Sequence, residues 1–206
     1  MDFFHSTSKK NADQILAQDW INPTQYDFPH FMDKLLDNIN AYDSYTDFPD
    51  RWLGVSEIPW LGSGVYCFKF LDEAQAYIPS AAIIKINVCT PFKEFDFDSP
   101  EDLMMIANYL QNDFEEDLRD KFFDDDEIVN AYLLVGTFLL NFIMEGMDNN
   151  SKAQCVCLSI ILFILVTIRK RSFKPDIVSY KFKLDSVVGK YYTIRKPEII
   201  KGLAGV

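Results

Sequence analysis

β-rich strand patterns at Gly64 to Phe70 and Ala82 to Cys89, and again at Asp176 to Leu184 and Lys190 to Arg195, flank a segment (residues 99 to 146) whose apolar period switches to that of a helix. Strand-forming ends around a helical middle predict an α+β protein, with a sheet core and an added helical layer. The first unit reads as strand, turn and helix. Residues 2 to 6 form a short buried strand, Thr7 or Ser8 caps the helix that follows, and Ala12, Ile15 and Leu16 share one face of Lys9 to Asp19. Gly64 to Phe70 reads as a strand, Leu71 to Ile78 as a short helix with Asp72 and Glu73 at its positive end, and Ala82 to Cys89 as a second strand.

Between these elements, Ile21 to Pro59 is rich in Pro, Asp and Asn. It predicts one helical stretch near Phe31 to Ile39 and then a surface loop. In the middle segment, Ser99 followed by Pro100 is a helix start. Phe114, Leu118 and Phe122 recur at helical spacing, and Glu115 with Arg119 and Asp117 with Lys121 stand at the i,i+4 spacing of favourable pairs. The acidic run through Asp124 to Glu127 reads as a solvated helix face and helix start. Tyr132 to Met144 is apolar on nearly every side, which predicts burial around most of its circumference. Ala153 to Ile168 is read as a buried core segment, with its division between strand and helix left open. Two strands, Asp176 to Leu184 and Lys190 to Arg195, close the chain around a turn at Asp185 to Gly189.

With 206 residues, 49% of them hydrophobic, the chain has material for one domain with a sizeable core. We read residues 1–206 as a single domain with a helical insertion at about 99–146. A formal net charge of -11 argues against non-specific nucleic-acid binding, which needs a basic surface. Cys67, Cys89, Cys155 and Cys157 lack metal-ligand spacing and read as reduced core residues. The N-terminus, Met-Asp-Phe-Phe-His, has no signal-peptide character, so a cytoplasmic protein without membrane attachment is expected.

Three short segments carry chemistry. Phe3-Phe4-His5-Ser6-Thr7 feeds the first helix, and Trp60-Leu61-Gly62-Ser63-Gly64-Val65-Tyr66 feeds a strand. Tyr191-Tyr192-Thr193-Ile194-Arg195-Lys196-Pro197 forms the last predicted strand and its exit. Taken singly, the first reads as a core strand with a plain helix cap, and the second as a Gly-rich hairpin with a core tyrosine. In this order, they resemble the nicotinamide clamp of the ADP-ribosyltransferase superfamily (poly(ADP-ribose) polymerase and diphtheria-toxin-like), in its small bacterial or phage form. Ser6 stands where that family usually has Gly, and Tyr191 where it carries Gln or Glu.

The resemblance implies a split β-sheet core and NAD as co-substrate. His5, Tyr66 and Tyr191 would be catalytic, with His5, Ser6, Thr7, Gly62, Gly64 and Tyr66 holding the dinucleotide and no metal taking part. It further implies that His5 and Tyr66 occupy adjacent strands with their side chains around one nicotinamide-sized group. The expected activity is mono-ADP-ribosyl transfer from NAD to a protein acceptor, as a toxin, defence or host-modifying effector with an antitoxin or regulatory partner. The alternative is a catalytically inactive nucleotide- or protein-binding module on the same fold. A third reading is an interaction protein with no link to NAD. His30 reads as a loop residue, and Glu94, Asp96 and Asp98 as the solvent side of an edge segment.

Overall fold

The N-terminal strand β1 (Asp2–Thr7) runs into helix α1 (Lys9–Gln18) through Ser8, whose hydroxyl accepts from the Asn11 amide at 3.2 Å. This satisfies one of the amides left open at a helix start. Asp19, in the left-handed region at φ 48°, ends the helix where a glycine would be less strained. The computed structural model describes residues 1–25, 61–144, 151–169, 173–184 and 187–206. The sequence-predicted helix at Phe31 to Ile39, the loop from Asn40 to Pro59, Trp60 and His30 lie outside the described residues.

The described residues fall in two compact units, one within Met1–Gln25, Ser63–Asp98 and Pro175–Val206, the other of Leu61, Gly62 and those within Ser99–Lys174. The first unit is built on β1, β2 (Val65–Phe68), β3 (Ala82–Val88), β4 (Glu94–Asp96), β5 (Ile177–Leu184), β6 (Val187–Ile194) and β7 (Ile200–Gly205). These strands form a mixed sheet of order β4-β5-β6-β2-β1-β3-β7, in which β4 runs parallel to β5 and the other neighbours are antiparallel. β2 lies at the middle of the sheet between β1 and β6, and the C-terminal strand β7 forms one edge beside β3. The α+β class expected from the alternating ends is the class found.

Strand alternation gives the sheet two different faces. On one, Phe3, Val65, Cys67, Ile84, Ile86, Tyr192 and Ile194 form the core with Ala12 and Ile15 of α1. Full burial of a side chain such as Phe3 contributes roughly 1.5–3 kcal/mol. On the other lie Phe4, Ser6, Tyr66, Phe68, Tyr191 and Thr193, with helix α2 (Leu71–Tyr77) over β1, β2 and β6. The Ser6 hydroxyl donates to the Ala74 carbonyl and so ties β1 to α2.

The second unit contains α3 (Pro100–Asn112), α4 (Phe114–Phe122), α5 (Asp126–Met144) and α6 (Ser151–Thr167). Ser99 caps α3 through the Asp102 amide at 3.3 Å, with Pro100 in the first turn. Phe114 packs over Gly136 so closely that a Cβ there would stand 2.6 Å from its ring. Glu115 and Arg119 pair at 2.9 Å as expected. Asp117, by contrast, is turned inward rather than toward Lys121. It is 5% exposed and accepts a hydrogen bond from the buried Tyr109 hydroxyl at 3.1 Å.

One further expectation is corrected here. The segment Tyr132 to Met144 is not buried around most of its circumference: Tyr132, Val135, Gly136 and Leu139 continue one buried stripe, while Thr137, Asn141 and Met144 are exposed. Its contacts with α3 and α4 need only one side of the helix. Among the described residues this is the one helix long and apolar enough, by length and composition, to cross a membrane. Ala153 to Ile168 is helical up to Thr167, with Leu158, Ile160, Ile161, Leu162, Ile164 and Leu165 buried.

Glu94, Asp96 and Asp98 do sit at a sheet edge, but they are not merely solvated. Glu94 accepts from the Ser179 hydroxyl at 2.6 Å, Asp96 pairs with Lys190 at 2.5 Å, and Asp98 accepts from the Lys181 amide at 2.6 Å. These bonds lock the three-residue β4 onto β5 and β6. Phe95 and Phe97, between the acids, are buried.

Candidate functional site

The turn before β2 is fixed by close approach. Gly62 has φ 74° and Gly64 φ 153°, both in the region side chains avoid. A Cβ at Gly64 would lie 2.5 Å from Thr193 Cγ2 and 2.6 Å from the Ile194 carbonyl oxygen. Thr24 and Gly64 exchange backbone hydrogen bonds of 2.9 Å in both directions. The Gly-x-Gly spacing therefore lets β2 lie against β6 and fixes the register Val65 to Ile194, Tyr66 to Thr193 and Phe68 to Tyr191.

His5 and Tyr66 stand on adjacent strands. The imidazole Nδ1 of His5 lies 2.7 Å from the Tyr66 carbonyl oxygen. A carbonyl can only accept, so Nδ1 carries the proton, and the neutral ring presents a lone pair at Nε2. Burial holds the imidazole pKa below its ordinary value, which favours this neutral form, although the bond to Tyr66 acts in the opposite direction. His5 can thus accept a hydrogen bond at Nε2 from a hydroxyl but, while neutral, donates none there.

The two side chains do not share a face. Phe4 is opposite Phe68, the one register pair between β1 and β2, and His5 is opposite Ile84 on β3. His5 therefore belongs to the face of Phe3, Cys67 and Ile84, whereas Tyr66 belongs to that of Phe68, Tyr191 and Thr193. The expected clamp of two side chains around one ring is replaced by a link from the His5 side chain to the Tyr66 backbone. The period of two settles this outcome once the register is known.

Tyr191 shares the Tyr66 face, two residues along the ladder, and is 4% exposed. Its ring packs against Phe68 at 4.9 Å between centroids and edge-on against Tyr77 at 5.3 Å; Phe68 and Tyr77 are themselves 5.3 Å apart. The third motif position is thus the centre of an aromatic cluster under α2. Nearby, Glu73 in the first turn of α2 has its Oε2 buried with no hydrogen-bond partner among the described residues. Burial holds its carboxyl above the usual glutamate range, against backbone hydrogen bonds from Lys190 and Phe70.

Of the other motif residues, Ser6 is buried and committed to Ala74, and Thr7 is half-buried opposite Ala82. Among the described residues, no group of three or more His, Cys, Asp or Glu could hold a metal ion. Cys67 and Cys157 are free and buried, and Cys89 is free and half-buried.

Arg195 stands at the end of β6, where a cation reads in the sequence as ordinary surface. It extends β6 by one residue, its amide donating to the Asp176 carbonyl at 2.8 Å, and alternation places it on the Tyr66 face. It is half-buried, and among the described residues it has no carboxylate partner. Comparison of the chain with models of protein families, with curated proteins and with solved structures gave no match.

Proposed function

We propose that this chain is a non-catalytic nucleotide-binding module, with Tyr66 as the ring that a base or nicotinamide group would stack upon. The observation that carries this reading is the placement of Tyr191, buried between Phe68 and Tyr77 where a catalytic anion would have to face the ligand. A tyrosine brings no full negative charge at neutral pH, and a ring so packed cannot turn toward a bound ribose without opening the cluster. The separation of His5 from Tyr66 onto opposite faces supports the same conclusion, because transfer from NAD needs both around one leaving group.

The second reading is mono-ADP-ribosyl transfer from NAD to a protein acceptor. The His5 bond to Tyr66 favours it, since it orients Nε2 as an acceptor for a ribose hydroxyl. Calorimetric titration with NAD, followed by a nicotinamide-release assay, separates the two. Binding without release supports the module. Release that is lost in Tyr191→Phe, with affinity unchanged, would establish the transferase instead.

A further inference from the structure

We propose that Arg195, with Tyr66 diagonal to it and Thr193 one strand repeat away on the same face, forms a subsite for a phosphate-class anion. The proposal rests on the nucleotide-binding reading and assigns to that ligand the place of its phosphate group. It starts from an imbalance of charge. The chain has 31 acidic residues against 20 basic ones, yet this half-buried guanidinium has no carboxylate partner among the described residues. Asp176, whose backbone carbonyl accepts from the Arg195 amide, has its carboxylate already engaged by Lys196 and by the Lys93 amide at 2.8 Å.

Thr193 supplies a second, independent observation. It is 0% exposed, and its Oγ1 has no hydrogen-bond partner among the described residues. Its methyl group faces Gly64, which turns the hydroxyl away from that glycine. Buried polar groups are nearly always satisfied, and an uncompensated cation out of water is costly. A guanidinium without a carboxylate partner and an unbonded buried hydroxyl one strand repeat apart, roughly 7 Å along the backbone, suit a group with several acceptor oxygens. Phosphate is such a group, and guanidinium is its usual partner because its planar fork matches two oxygens. The partial burial of Arg195 already weakens its hold on the proton, and a bound anion would reverse that.

The test uses the whole chain with inorganic pyrophosphate and, separately, NAD. Pyrophosphate is expected to raise the thermal midpoint of the wild type in a concentration-dependent way. Arg195→Gln should weaken pyrophosphate binding by about ten- to a hundredfold. Without anion its midpoint should equal or exceed that of the wild type, because an uncompensated charge has been removed. Should Arg195→Gln fail to fold, Thr193→Val keeps the shape, removes the hydroxyl and should weaken pyrophosphate several-fold without loss of stability. Unchanged pyrophosphate affinity in the folded variant overturns the subsite. NAD binding that persists at full strength in Arg195→Gln also overturns it, and leaves the module reading standing. Binding of pyrophosphate through Arg195 with no binding of NAD keeps the subsite and ends the nucleotide reading. A wild type that responds to neither ends both.

Discussion

The imidazole Nδ1 of His5 and the backbone carbonyl oxygen of Tyr66 are 2.7 Å apart, and this bond crosses the one strand pair, β1 with β2, that has a single register contact. His5→Ala should therefore loosen the centre of the sheet, costing about 1–3 kcal/mol in urea unfolding through the half-buried carbonyl left without its donor. The same residue sets a pH dependence. Its folded pKa is below the ordinary 6.5, so near pH 6 the unfolded chain binds more protons than the folded one, and stability falls as pH drops through that range. Unfolding measured from pH 7.5 to 5.5 should show this slope in the wild type, reduced in His5→Ala.

Gly64→Ala tests the packing of β2 on β6. The added methyl would meet a backbone oxygen at 2.6 Å, which cannot move as a side chain can, at a φ that L residues rarely adopt. A loss of about 2–4 kcal/mol is expected in denaturant unfolding. A neutral result would mean that β2 and β6 are not in the described register.

Tyr191→Glu places a carboxylate between Phe68 and Tyr77. With no cation in that cluster among the described contacts, the variant should lose more than about 3 kcal/mol and gain no nicotinamide release. A stable Tyr191→Glu protein that turns over NAD would show that the cluster opens toward the ligand, and the transferase reading would replace the module.

Glu73→Gln probes the buried Oε2. Its carboxyl titrates above the ordinary value of 4.5 because burial disfavours the charge, so between that value and the folded pKa the folded state binds more protons than the unfolded one. Wild-type stability contributed by this group is present at low pH and declines as pH rises. Glu73→Gln should thus have the higher thermal midpoint at pH 7, with the difference closing toward pH 4. A variant less stable than the wild type at pH 7 would show that the charged form is held by bonds stronger than its burial cost.

Local order was legible wherever neighbours in sequence decide it. Ser8 and Ser99 cap helices because a hydroxyl beside open amides suffices, and β1, β2, β3 and β5 follow from alternation. The need for glycine at Gly64 also showed in the sequence as a Gly-x-Gly turn. Asp117 was misplaced for a different reason: its i,i+4 spacing to Lys121 offered a surface pair worth a few tenths of a kcal/mol, and the buried Tyr109 hydroxyl outweighed it.

What the sequence determined by itself, then, was the α+β class and most of the segments that become strands and helices, though not the edge strand β7. Tertiary structure alone decided which of their residues meet. A strand sends alternate side chains to opposite faces, so the single pairing of Phe4 with Phe68 parted His5 from Tyr66. The pairing of β2 with β6 brought Tyr191 beneath α2 and left Arg195 on the Tyr66 face. Register depends on contacts between segments far apart in the chain, and no local pattern encodes it.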